Sequence, residues 1–141
     1  MKLRATLLAV LAASAFSFAH ADDSHPGTQS QVLLKTTRSW DGVSYPAYPA
    51  GQPEITVLKI TIPPHSKLPW HQHPAINAAY MVSGTLFVQA REGDLVKKLV
   101  PGEVLPEMVN RSHRGYTEDE PVELVVFYAG AEGKPVTVLD K

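Results

Sequence analysis

The 141-residue chain has no cysteine, which excludes thiolate metal sites, a cysteine nucleophile and disulfide staples. A small domain without disulfides must draw its stability from core packing, a ligand or oligomerisation. Charge of one sign is also scarce: 13 Lys and Arg stand against 14 Asp and Glu, and no basic run is longer than Lys97-Lys98. That balance excludes the electrostatic footprint of a nucleic-acid binder or of a protein held on an anionic membrane. After residue 21, no segment keeps a helical period over three turns, and there is no internal repeat or second domain. A nucleophile elbow, a phosphate loop, a dinucleotide fingerprint and a paired-carboxylate glycosidase site are all missing.

The one long apolar stretch is at the start. Lys2 and Arg4 give a positive opening, Leu3 to Phe18 follow with almost no polarity, and Ala19-His20-Ala21 offers small residues at the positions a signal peptidase reads. This is the pattern of a secretory signal, residues 1–21, and it is too short for a membrane span. Its cleavage removes the only apolar stretch that approaches one, leaves Asp22 as the first residue and 11 basic against 14 acidic side chains, and implies a bacterial protein that is periplasmic or secreted. Residues 22–30 are polar, with Pro26 and Gly27, and read as a flexible lead-in to a domain over 31–141.

That domain breaks into short β-prone runs separated by turn residues. Gln31 to Thr37 reads as a first strand, and Tyr45 to Pro53 as a Pro-rich loop. Glu54 to Ile62 alternates, with Ile55, Val57, Lys59 and Thr61 on one face and Thr56, Leu58, Ile60 and Ile62 on the other. Ser83-Gly84-Thr85 reads as a hairpin turn between runs 77–82 and 86–90, and Arg91 to Asp94 as a second one before 95–100. Runs at 104–108, from His113, at 122–128 and at 136–139 complete the series. Many short strands with Gly and Pro turns predict an all-β sandwich or barrel.

Trp70-His71-Gln72-His73-Pro74 carries the clearest chemical signal. Alternate strand residues share a face about 7 Å apart, so His71 and His73 point together while Gln72 points away. Two imidazoles so placed can converge on one ion at about 2.0–2.1 Å. Such a pair alone is as consistent with a solvated strand as with a metal site. The wider spacing adds weight. After His73 come three residues, Asn77, six more and Gly84; forty residues beyond His73 stands His113, eleven after Gly102.

These spacings resemble the two signature motifs of the cupin superfamily over His65 to Thr117, about 53 residues. The first motif there runs Gly, five residues, His-Xaa-His, three or four residues, Glu, six residues, Gly. The second runs Gly, five residues, Pro, one residue, Gly, two residues, His, three residues, Asn. The resemblance implies a single-domain jelly-roll barrel (a double-stranded β-helix) with a divalent metal at His71, His73 and His113. Iron, manganese, nickel, copper and zinc all occupy such sites. A homodimer is implied as well.

The departures are specific. His65 stands at the first Gly, Met108 at the Pro, Asn110 at the second-motif Gly and Thr117 at the last Asn. His65 is read as a turn residue that accepts an unusual backbone angle, and its side chain as a surface group. Asn110 is the best non-Gly choice for a left-handed turn. Asn77 replaces the acidic ligand, so a site it completes carries one negative charge fewer. Glu107, six residues before His113, is a candidate to restore that charge, either as a fourth ligand or as a general base. The plain alternative is an exposed Glu on an edge strand, since Pro106 precedes it. Arg111 and Arg114 flank His113 and read either as an ordinary solvated pair or as a receptor for an anionic substrate. Trp70, Tyr80, Phe87, Phe127 and Tyr128 read first as core.

Three histidines leave open positions on an ion for water, oxygen or substrate. The resemblance therefore implies a metal-dependent enzyme on a small molecule, in the first place a dioxygenase acting on a dicarbonyl, thiol or aromatic compound. The alternative is a non-catalytic module binding a small ligand or metal chelate in the cell envelope. A purely structural role is disfavoured by the complete histidine set.

Overall fold

Hydrophobic alternation and turn chemistry divide the chain into nine strands among residues 27–141, the part that the computed structural model describes. They are β1 (Pro53–Ile62), β2 (His71–Gln72), β3 (Ile76–Ser83), β4 (Leu86–Ala90), β5 (Val96–Leu99), β6 (Val104–Pro106), β7 (His113–Tyr116), β8 (Val122–Ala131) and β9 (Val138–Leu139). The signal segment and most of the lead-in lie outside the described residues. Residues 27–31 are exposed and form no strand, and Val32–Lys141 make one compact unit.

The strands form two antiparallel sheets, ordered β1-β8-β3-β6 and β5-β4-β7-β2-β9, and no helix occurs among the described residues. This is the all-β jelly roll expected. The period-2 alternation of β1 and β8 sets their register, Pro53 opposite Ala131 through Ile62 opposite Val122, because a one-residue slip would turn every apolar side chain to solvent. Prolines open β1 and close β6, both edge strands, where a missing N–H costs no ladder bond. Between the sheets lie Met81, Leu99, Leu105, Val122 and Val126, all buried; fully burying such a side chain is worth about 1.5–3 kcal/mol.

Two of the local readings change. Gln31 to Thr37 is not a strand: Val32 is 77% exposed and pairs with nothing described. Its β-prone composition has no neighbouring ladder to join, and propensity without a partner does not make a strand. Ser83-Gly84-Thr85 is not a hairpin turn either, because it carries the chain from β3 in one sheet to β4 in the other. Gly84 adopts φ +75°, and a Cβ there would stand 2.2 Å from the Pro121 carbonyl oxygen. The Arg91–Asp94 turn does join paired strands β4 and β5, with Gly93 and Asp94 both at positive φ.

The substituted motif positions keep the backbone that the glycines would give. His65 and Asn110 both have φ +53°. At the first turn, the Thr117 hydroxyl accepts the Ser66 N–H at 3.0 Å and donates to the Pro63 carbonyl at 2.6 Å, tying the turn to the end of β7. At the second, the Asn110 N–H donates to the His73 carbonyl at 2.8 Å. Both links hold histidine-bearing segments in place.

Candidate metal centre

His71 and His113 are directly opposed in the β2–β7 ladder, so their side chains leave the same face side by side. His73 is two residues further on, on the same face, beside Val109 in an isolated bridge. Gln72 points the other way. The three rings form a nearly equilateral triangle, with centroids 4.7 Å apart for His71–His113 and 5.0 Å for each pair with His73. One ring nitrogen from each lies within 4.8 Å of the other two.

Each imidazole is fixed by a backbone carbonyl. His71 Nδ1 lies 2.9 Å from Pro69 O, His113 Nδ1 2.9 Å from Arg111 O, and His73 Nδ1 2.8 Å from Val136 O, with Thr137 Oγ1 at 3.3 Å. A carbonyl only accepts, so Nδ1 carries the proton and Nε2 the lone pair on each ring. Donation of the second ring nitrogen's proton is the support a metal-ligating histidine ordinarily has. Burial pushes His71 and His73 below the usual imidazole range, which keeps them neutral and available as ligands.

Glu107 is buried, not exposed as an edge-strand residue would be, and its carboxylate faces the same triangle. Its Oε2 is 3.2 Å from His113 Nε2, yet neither atom has a hydrogen-bond partner. With the His113 proton on Nδ1, two lone pairs face one another, an arrangement that requires a positive charge between or beside them. A metal ion on Nε2 supplies it. Without one, a shared proton must: burial, the strongest influence on His113, acts downward, but the adjoining Glu107 carboxylate outweighs it and raises the imidazole. Burial likewise acts upward on Glu107 and is outweighed by the three histidines, so its carboxyl sits below the usual range. The donor set, the free lone pairs and the orphaned buried atoms together fit a divalent metal.

From outside, the segment around Ser39–Tyr45 holds Glu107 in place. The Trp40 N–H donates to Pro106 O at 2.9 Å and the Tyr45 hydroxyl to Glu107 O at 3.0 Å. From β3, the Asn77 carbonyl accepts the Glu107 N–H at 3.1 Å. Asn77 itself is buried and donates through its side-chain amide to Ala75 O, while its Oδ1 has no partner. The residue does not line the cavity that the histidines enter.

That cavity has a volume of about 240 Å³. Leu58, Ile60, Ile62, Leu86, Leu124 and Val126 form much of its wall, and Gly115 of β7 lines it beside Leu86 and Leu68. Its polar groups are the three histidines, Glu107, Tyr128 and Thr137. Burial, followed by the Glu107 charge, pushes the Tyr128 phenol up to about 12.

The arginines are not part of it. Arg111 pairs with Asp41, and Arg114 lies on the outer sheet face, 4.1 Å from the Trp70 ring centroid and bonded to Gln89 Oε1. Their place beside His113 in sequence puts Arg114 on the opposite strand face. The aromatic residues also divide: Tyr128 is core, whereas Tyr80 and Phe127 are exposed and Phe87 stacks on Tyr116 outside the barrel. Sequence reasoning missed Gly115, Tyr128 and Thr137 as cavity residues. The period-2 step from His113 to Gly115 was the one available signal.

No protein-family model and no curated protein matches the chain. Among solved structures, it is similar to the DMSP lyase DddQ from Ruegeria pomeroyi (25% identity over 60% of this chain and 42% of that one, TM-score 0.54). It is also similar in fold to a cupin-like protein from Thermotoga maritima (21% identity, 61% and 64% covered, TM-score 0.55). A third is an oxalate oxidase in complex with the substrate analogue glycolate (18% identity, 60% and 45% covered, TM-score 0.51). The chain spans less than two thirds of each of these three proteins.

Proposed function

We propose that the chain, whose jelly-roll fold is similar to that of a cupin-like protein, is a metal-dependent enzyme acting on a small molecule, with dioxygenase-like chemistry as the leading case. The observation that carries this reading is the histidine triangle itself: three Nε2 lone pairs, each oriented by an Nδ1–carbonyl bond, beside a buried carboxylate in an apolar cavity. His71, His73 and His113 hold the ion. An iron-like ion supplies one-electron chemistry toward dioxygen, and a redox-inert ion such as zinc supplies Lewis-acid polarisation. Glu107 receives a proton from the substrate, and the leucine, isoleucine and valine walls exclude water from the reacting groups. Of the two candidates beside the histidines, Glu107 is better supported than Asn77, because its carboxylate reaches the cavity.

A second reading, a binding module without turnover, draws on one feature. Asn77 stands where the first motif has its acidic ligand, so the histidine group lacks the carboxylate on which catalytic tuning of such a site ordinarily depends. The fold neighbours named as a lyase and an oxidase weigh on the enzyme side. Export through residues 1–21 and a homodimer belong to the proposal. The dimer is supported by exposed Ile55 (69%), Val57 (59%) and Phe127 (43%) on one outer sheet face. The test is to load the purified protein with iron, manganese, nickel, copper or zinc in turn. Oxygen uptake is then followed with dicarbonyl, thiol and phenolic compounds. Uptake with one redox-active metal supports the dioxygenase, and tight binding with no uptake or product supports the module.

A further inference from the structure

The histidine end of the cavity is polar, and the rest is not. Beyond the histidines, Glu107, Tyr128 and Thr137, the lining is leucine, isoleucine, valine, proline and glycine, with no lysine, arginine or amide side chain. A second carboxylate on a ligand would find no cation and no donor along those walls, and desolvating it there would be costly.

We propose that the cavity takes a molecule with one metal-directed oxygen or sulfur group and an uncharged, apolar body, and that it rejects dicarboxylates and other molecules charged at both ends. Gly115 sets the size. A Cβ at this position would come within 3.2 Å of Leu86 Cδ1 and 3.4 Å of Leu68 Cδ1, and both leucines line the cavity. The glycine thus keeps two flexible leucine tips out of the space the body occupies. Its φ is not in the left-handed region, so backbone conformation does not explain the residue, and space does. This inference rests on the reading that the three histidines hold a metal.

The experiment uses the full protein loaded with zinc, its metal content measured first, and a ligand series with a constant metal-binding head. Acetohydroxamic, butanohydroxamic and hexanohydroxamic acids are titrated calorimetrically beside a hexanoic chain that carries a carboxylate at its far end. Affinity should rise about fourfold per added methylene, the equivalent of 0.8 kcal/mol for each one buried. The carboxylate-ended member should bind at least tenfold more weakly than its apolar counterpart. In Gly115→Ala the rise should stop earlier in the series. Equal affinities across the series on a zinc-loaded protein would overturn the substrate inference and leave the metal reading standing. A tighter carboxylate-ended ligand would do the same. Failure to hold zinc at all would overturn the metal reading and this inference with it.

Discussion

The two motif glycines are kept for different physical reasons, and replacing each by alanine separates them. Gly84 and Gly102 have nearly the same backbone, φ +75° and +88°, so an alanine at either meets the left-handed penalty of about 1–2 kcal/mol. At Gly102 nothing lies within 4 Å of the new Cβ, and that penalty is the whole effect. At Gly84 the Cβ would stand 2.2 Å from Pro121 O and 3.1 Å from Val122 Cα, both backbone atoms. Val122 is fully buried at the head of β8 and pairs with Ile62, so this backbone cannot retreat without disturbing the central ladder. Gly84→Ala should therefore cost at least about 3 kcal/mol, in the range reserved for severe local conflict. That is a large share of the 5–15 kcal/mol typical of a domain. Urea denaturation of both variants, read at constant slope, measures the difference. Equal losses in the two variants, or a loss below about 1 kcal/mol at Gly84, would refute the steric argument.

Three further outcomes follow from the site. Glu107→Gln should lower zinc affinity by about 10–100-fold, the usual effect of losing a group that supports a metal's ligands, as read by competition with a chelator. Unchanged affinity and activity would remove Glu107 from the site. The Tyr128 phenol is raised from 10 to about 12, so the folded state resists forming phenolate that the unfolded chain forms readily. The stability this contributes is complete below pH 10 and is lost as pH rises through the folded value. The loss is about 2–3 kcal/mol at most, and Tyr128→Phe should flatten the fall in denaturation midpoint between pH 10 and 12. Arg114→Ala should leave ligand affinity within about twofold, because this side chain is engaged with Trp70 and Gln89 on the outer face, where surface changes are small; a tenfold loss would return it to the substrate site.

Much of the fold and the site can be read in the sequence where the requirement is local. A left-handed turn needs Gly or a residue such as Asn, and both His65 and Asn110 adopt that angle. Two histidines at i and i+2 must share a strand face, and His71 and His73 do. What stays hidden is pairing across distance. Nothing local in Ser83-Gly84-Thr85 separates a hairpin from a crossing between sheets; the Pro121 carbonyl that demands the glycine is far away in the chain. Gln31 to Thr37 has strand composition and no partner. Arg111 reads as a solvated residue or a substrate receptor, and neither reading includes Asp41, seventy residues earlier, with which it pairs. Val136 and Thr137, which orient His73, come from the segment just before β9, and their role depends on β9 lying beside β2.

The most direct test of the central claim is the metal content of the purified protein beside a His71→Ala/His113→Ala variant. The account predicts near-stoichiometric divalent metal in the parent and little in the variant, with the fold retained. Equal, trace metal in both would contradict the three-histidine centre and leave the cavity without the ion on which the proposed function depends.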